Sequence, residues 1–96
     1  MNKDASQDLV QYCIHVEVAL RDGIADPEGQ TIQQALLSLG FVEVTEVRVA
    51  KNLRLTIQAA NAASALQQVE AMCERLLTNP VIEEAFIQVV DSRGEQ

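Results

Sequence analysis

The amino-acid sequence predicts an α+β fold: a two-layer sandwich in which a four-stranded antiparallel sheet carries two helices on one face. Three observations predict it. Stretches of alternating apolar and polar residues indicate strands, two stretches with apolar residues every three or four positions indicate helices, and their order along the chain is βαββαβ. Because a crossover between parallel strands is right-handed, two interleaved crossovers give the strand order 4-1-3-2, a ferredoxin-like topology.

The first strand and the first helix have the clearest signals. Every second residue from position 12 to position 20 is apolar, so these residues would share one face of a strand. This pattern is typical of a half-buried strand. Asp26 can accept hydrogen bonds from the free amides at a helix start, Pro27 fits the first helical position, and Gly40 suits the helix end. The apolar stripe of this helix is expected to pack on the sheet and consists of Ile32, Ala35, Leu36 and Leu39.

The remaining elements follow from the same two periodicities. In residues 43–50 and 52–59 apolar and polar residues alternate, which predicts two strands. These strands are expected to pair as a hairpin around Lys51. A second helix is predicted from residue 62 to about 77, capped by Asn61 and ended before Pro80. Residues 82–90 form the last predicted strand. The stripe of the second helix is expected in the core and consists of Leu66, Val69, Cys73 and Leu76.

Length and composition limit the domain organisation and the classes of function. The 96 residues suit one domain at 11–90, with a disordered N-terminal extension at 1–10 and a charged C-terminal tail at 91–96. The formal net charge of −7 argues against binding to nucleic acid or an anionic membrane, because positive charge supplies most of that affinity. With no run of about 18 apolar residues and no secretion signal, we expect a cytoplasmic protein.

Cys13, His15 and Glu17 lie on one face of the first predicted strand and are residue types used in nucleophilic catalysis. Residues two apart on a strand are separated by about 7 Å and point outward in parallel, so they do not converge on one substrate atom. We therefore expect no catalytic residue here. Two distant cysteines and a single histidine are too few for a zinc site, so Cys13 and Cys73 are expected to be buried thiols, with no metal or cofactor site.

Several protein families share this topology, and the sequence can be compared with the signature residues of each. The open face of the first and third predicted strands carries no aromatic residue for stacking on bases, which excludes an RNA-recognition motif. The loop at residues 21–25 is too acidic and too poor in glycine for the arginine-bearing phosphate loop of an acylphosphatase. A ligand-sensing module of the ACT type stays open as an alternative, since such modules bind amino acids at dimer interfaces.

Three motifs carry a resemblance to a known family. They are Asp26-Pro27-Glu28-Gly29, Val47-Arg48-Val49 followed by Lys51, and Leu76-Leu77-Thr78-Asn79-Pro80-Val81-Ile82-Glu83. With the segments between them, over residues 12–90, the sequence resembles the PurS family, the small subunits of phosphoribosylformylglycinamidine synthase. Ala50 departs from the glycine that this family usually places before the lysine.

The resemblance implies a non-catalytic assembly subunit of de novo purine biosynthesis. Such a subunit is expected to be a homodimer or a dimer of dimers that bridges a synthetase subunit (PurL) and a glutaminase subunit (PurQ). It would support ammonia transfer during the amidation of formylglycinamide ribonucleotide. The complex would use ATP, magnesium and glutamine, whereas this chain would bind no cofactor.

Four charged residues are candidate contacts with a partner or with a second copy: Glu17, Arg48, Lys51 and Arg54. Glu17, Arg48 and Arg54 are predicted on the sheet face that the helices leave open, and a face with both signs of charge suits a two-fold contact between identical chains. Lys51 lies in the predicted turn, where it could meet an acidic partner. The sheet edges, near Val47 and Phe86, are expected to invite pairing with another chain.

Overall fold

The computed structural model describes residues 9–93, with side chains up to residue 90. The strands are β1 (Val10–Leu20), β2 (Ala50–Ala59) and β3 (Glu83–Arg93), and the helices are α1 (Pro27–Ser38) and α2 (Ala62–Met72). A π-helical turn, Cys73–Leu77, continues α2. The strands form one antiparallel sheet in the order β2-β1-β3, and most of the predicted N-terminal extension and the end of the predicted tail lie outside the described residues.

The predicted four-stranded sheet is wrong: within residues 9–93 the sheet has three strands. Residues 43–49 form no ladder, and β2 begins at Ala50, so the predicted turn around Lys51 lies inside a strand. A strand forms only where another strand pairs with it, and residues 43–49 instead run back along α1. Gln33 Nε2 donates to the carbonyls of Val44 (3.4 Å) and Thr45 (2.9 Å). The other three strands keep the predicted neighbours.

The core lies between one face of the sheet and α2. Ile14 and Val16 of the central strand are completely buried, and so is Val69 of α2. In the antiparallel register Ile14 lies opposite Leu55 of β2 and Val89 of β3, so one apolar row crosses the whole sheet. This confirms the alternation predicted for β1. The edge strands contribute only partly buried side chains to this row.

The predicted packing of both helices on one sheet face is also wrong, because α1 makes no extensive contact with the sheet or with α2. We call α1 together with the returning segment, residues 27–49, the arm. The molecule measures 62 × 30 × 14 Å and has a radius of gyration of 18.4 Å. A compact chain of this length has a radius of gyration of about 12.5 Å. The arm therefore projects from the end of the sheet at which β1 ends and β2 begins.

The π-helical turn explains one further difference from the prediction. The stripe of the second helix is correct for Val69 and Cys73, which are buried, but Leu76 is 81% exposed and Leu77 packs against the core instead. The Thr78 amide donates to the Cys73 carbonyl at 3.0 Å, five residues back. Each π turn contains about one residue more than an α turn, so the buried position moves from Leu76 to Leu77.

Among the described residues, no helix has both the length and the hydropathy needed to cross a membrane.

Candidate functional site

The open face of the sheet, opposite α2, carries the polar residues of β1. His15 lies opposite Arg54 of β2 and Gln88 of β3, and Glu17 lies opposite Asn52 and Phe86. Cys13 is only half-buried on the same face, so the prediction of a buried thiol is wrong for this residue. No hydrogen bond joins Cys13, His15 and Glu17 in the part of the chain that the structure describes. The three side chains follow one another along the strand, as the sequence predicts, and do not form a converging group.

The root of the arm is built around Asp26. Its Oδ1 accepts from the Gly29 amide (2.9 Å), which caps α1, and its Oδ2 accepts from the Val49 amide (2.8 Å) just before β2. These hydrogen bonds, Val49 first and Gly29 second, stabilise the carboxylate and lower the pKa of Asp26 against a smaller effect of its burial. One side chain thus connects the two ends of the arm.

Gly29 is required by this packing. A Cβ atom at this position would overlap the Val47 carbonyl oxygen and would stand 2.9 Å from Asp26 Oδ2. The returning segment can therefore lie against the first turn of α1 only if residue 29 is glycine. The Asp-Pro-x-Gly motif in the sequence marks this contact, which sequence periodicity alone does not reveal.

Arg48 also belongs to the arm root rather than to the sheet face on which the sequence places it. Its guanidinium donates to the carbonyls of Leu20 (3.3 Å), Arg21 (3.4 Å) and Ile24 (3.2 Å). The guanidinium thereby holds the turn between β1 and α1. A recess of about 420 Å³ lies beside it, lined among others by Gln30, Gln33 and Glu46.

The other three candidate contact residues are exposed on β1 and β2. Glu17 and Arg54 lie on the open face, as predicted. Lys51 lies opposite Val18, on the face that α2 covers in part, where it lines a small recess with Glu28 and Glu83. The structure therefore does not bring the four residues together into one patch.

The tip of the arm exposes a cluster of apolar side chains that the sequence assigns in part to the core. Leu39 and Val42 are each 73% exposed and Phe41 is 57% exposed. Ile32 and Leu37 add to this surface along α1. Sequence reasoning missed the surface because a helical apolar stripe is the same whether it packs on its own sheet or on another molecule. No sequence signal separates the two cases, because the segment 43–49 has a strand pattern and only the structure shows that it has no partner strand.

Among the side chains of residues 9–90, no group of three or more histidine, cysteine, aspartate or glutamate residues is placed to hold a metal ion. Cys73 is buried, and this burial, with a smaller effect of Glu70, raises the pKa of its thiol. The thiol is therefore protonated at neutral pH. Cys73 acts as part of the core.

These features define a class of protein: a small α+β module with extended exposed surfaces and, among residues 9–90, no converging group of catalytic side chains. A family model described as PurS, phosphoribosylformylglycinamidine (FGAM) synthase, matches residues 13–91. The PurS subunit of phosphoribosylformylglycinamidine synthase from Synechocystis sp. is 37% identical over 83 residues, which are 86% of this chain and 83% of that protein. The chain belongs to the PurS family, which confirms the resemblance seen in the sequence.

Solved structures agree in fold. Methanocaldococcus jannaschii PurS, one of the subunits of formylglycinamide ribonucleotide amidotransferase, has a TM-score of 0.77 and 41% identity, covering 83% of this chain and 96% of that chain. A chain in the structure of PurLQS from Thermotoga maritima has a TM-score of 0.78 and 31% identity, covering 83% of this chain and 98% of that chain. The comparisons give no support to the ligand-sensing alternative.

Proposed function

We propose that this chain is the assembly subunit of a phosphoribosylformylglycinamidine synthase complex and bridges its synthetase and glutaminase subunits. The observation that carries the proposal is the match to a chain of Thermotoga maritima PurLQS over 98% of that chain's length. A bridging subunit needs surfaces for two partners, and this chain exposes the arm, the open sheet face and the end of α2. The last of these has a shallow apolar recess beside Met72 and Leu76.

The chemistry of the complex explains why such a subunit is useful. Ammonia released from glutamine must reach the synthetase before it escapes to water, so the two larger subunits have to be held in a fixed arrangement. A third chain can supply that arrangement through binding alone. The absence of a converging nucleophile and base among residues 9–90 is compatible with this role.

The remaining expectations belong to the same proposal. The chain acts as a homodimer or a dimer of dimers, binds PurL and PurQ, and is cytoplasmic. ATP, magnesium and glutamine are used by the complex, not by this chain.

Reconstitution from purified subunits tests the proposal. With synthetase and glutaminase present, addition of this chain should switch on glutamine-dependent amidation of formylglycinamide ribonucleotide, whereas amidation with free ammonia should proceed without it. The His15→Ala variant should support the same turnover within a few-fold, because His15 only lines the open face. Undiminished glutamine-dependent turnover without this chain would overturn the proposal.

A further inference from the structure

The open face of the sheet carries a recess at which all three strands contribute side chains. It has a volume of about 370 Å³, and its walls include Glu17 of β1, Asn52 of β2, and Phe86 and Gln88 of β3. In the antiparallel register Glu17 lies directly opposite Asn52 on one side and Phe86 on the other, so the Cβ atoms of each pair are about 5 Å apart. A carboxylate, an aromatic ring and two amide groups therefore meet at one place.

The side chains of this recess are free to bind another molecule. Glu17 is exposed, and among residues 9–90 no hydrogen bond or ion pair engages its carboxylate. Phe86 is 54% exposed and lies on the sheet face away from the core. Asn52 and Gln88 are exposed as well. An occupant of the recess would therefore displace water rather than any contact within the chain.

The basic residue in the neighbouring row of the sheet does not fill the recess. Arg54 lies opposite His15, one row along from Glu17, and lines a separate recess of about 200 Å³. In the described part of the chain an ion pair joins Arg21 to Glu84 (3.7 Å), and none joins Arg54 to Glu17. The Glu17 carboxylate is thus left without a cation from its own chain.

The chemistry of the recess selects one kind of occupant. A guanidinium group is planar, stacks on aromatic rings and carries five N–H donors in a fork that fits a carboxylate. Glu17 supplies the carboxylate, Phe86 supplies the ring, and the amide oxygens of Asn52 and Gln88 can accept from the remaining N–H groups. A lysine ammonium would pair with Glu17 but stack less well, and an anion would be repelled.

We propose that this recess is the anchor site for an arginine side chain of a partner subunit in the synthase complex, with the guanidinium held between the Glu17 carboxylate and the Phe86 ring. The residues around it are exposed on an extended sheet face, which suits a side chain presented by a second protein. Arginine is enriched among the residues that dominate the binding energy of protein interfaces. This inference rests on the bridging role in the proposed function and names one surface at which a partner is held.

Titration with N-acetyl-arginine amide tests the chemistry of the recess. In NMR spectra of the full chain, saturable shift changes are expected at the backbone amides of Glu17, Asn52 and Phe86. The corresponding citrulline compound has nearly the same shape without the charge and should leave these amides unchanged. Glu17→Gln should weaken arginine binding at least about tenfold, because the charge-assisted hydrogen bonds are lost. Phe86→Leu should weaken it about threefold, because the ring face is lost.

Two matched variants serve as controls. Glu74→Gln removes an exposed carboxylate from the π turn, and Phe41→Leu replaces a similarly exposed ring, at 57%, on the arm. Both should bind the arginine compound as the wild type does. All four substituted side chains are exposed, so the variants should keep the fold, which their own NMR spectra verify. Shift changes that persist in Glu17→Gln, or that spread over the whole surface, would overturn the guanidinium site.

Binding to the purified synthetase and glutaminase subunits tests the partner. The double variant Glu17→Gln/Phe86→Leu should bind one of the two subunits at least about tenfold more weakly than the wild type, whereas Glu74→Gln should bind both normally. A second copy of this chain could instead insert its Arg54. Sedimentation velocity distinguishes this case: if Glu17→Gln and Arg54→Gln each weaken self-association while both subunits still bind, the proposal is wrong.

The outcomes separate this inference from the proposed function. A double variant that binds both subunits like the wild type would overturn the anchor site, although the wild type still switches on glutamine-dependent amidation. Amidation that needs no wild-type chain at all would overturn the bridging role, whatever the arginine compound does at the recess.

Discussion

Asp26 connects the first turn of α1 to the residue before β2 through its two carboxylate oxygens. An asparagine can replace only one of these acceptors, because its amide nitrogen would face the Val49 amide donor. The same side chain therefore sets both the start of the helix and the return of the chain to the sheet. Its effect on stability should depend on pH.

The pH prediction compares the wild type with Asp26→Asn. The folded-state pKa of Asp26 lies below its ordinary value of 3.8, so the carboxylate stabilises the fold above about pH 4. This stabilisation is lost as the pH falls through the folded-state pKa. The difference in unfolding free energy between the two proteins should be constant near neutral pH and should shrink in acid.

Urea denaturation at a series of pH values measures this difference. Asn61→Ala is the control, because Asn61 caps α2 through one hydrogen bond to the Ser64 amide (2.8 Å) and does not titrate. Its cost of about 1 kcal/mol should be the same at every pH. A difference for Asp26→Asn that also stays constant down to pH 2 would contradict the role given to the carboxylate.

At the scale of elements, α2 and α1 contribute very differently to the fold. Val69→Ala should cost about 2 kcal/mol, because it removes two buried carbon atoms and leaves a cavity against the sheet. Leu39→Ala, just after α1, should change the unfolding free energy by less than about 0.5 kcal/mol in dilute protein, since Leu39 is exposed. Chemical denaturation at concentrations below self-association compares the two, and equal costs would show that the arm is packed on the sheet.

The elements also show what the sequence could predict. Alternation in β1, the cap at Asp26 and the stripe through Val69 are local patterns, and the structure confirms them. Whether residues 43–49 form a strand depends on a partner that is remote in sequence, so their alternation predicted a strand that the chain does not form. The π turn likewise leaves no periodic signal, which is why Leu76 was placed in the core and Leu77 was not.

The candidate site divides in the same way. Glu17 and Arg54 could be placed on the open face because β1 and β2 are strands with a fixed alternation. Arg48 could not be placed, because its position depends on carbonyl groups of a turn more than twenty residues earlier in the chain. The family could be identified from motifs at fixed spacing along the chain. One of these motifs contains Gly29, where the Val47 carbonyl oxygen comes so close that no residue with a Cβ atom would fit.

At the scale of the whole molecule, the projecting arm determines the shape in solution. Small-angle X-ray scattering on monomeric fractions should give a radius of gyration near 18.4 Å, because the arm extends beyond the sheet. An arm folded back on the sheet would give about 12.5 Å. A value close to the smaller number would contradict the architecture. Mass from light scattering on the same fractions confirms that the monomer is being measured.

Within residues 9–93 the hydrogen bonds between the arm and the rest of the chain lie at its root, and this separates two kinds of inherited change. Substitutions at Ile14 or Val69 should lower the amount of folded protein in a cell, because they act on the core. Substitutions at Leu39, Phe41 or Val42 should leave the stability of the folded chain nearly unchanged, because these side chains are exposed, and should act instead on contacts with other molecules. The tip can therefore diverge in step with a partner surface while the sheet stays constant.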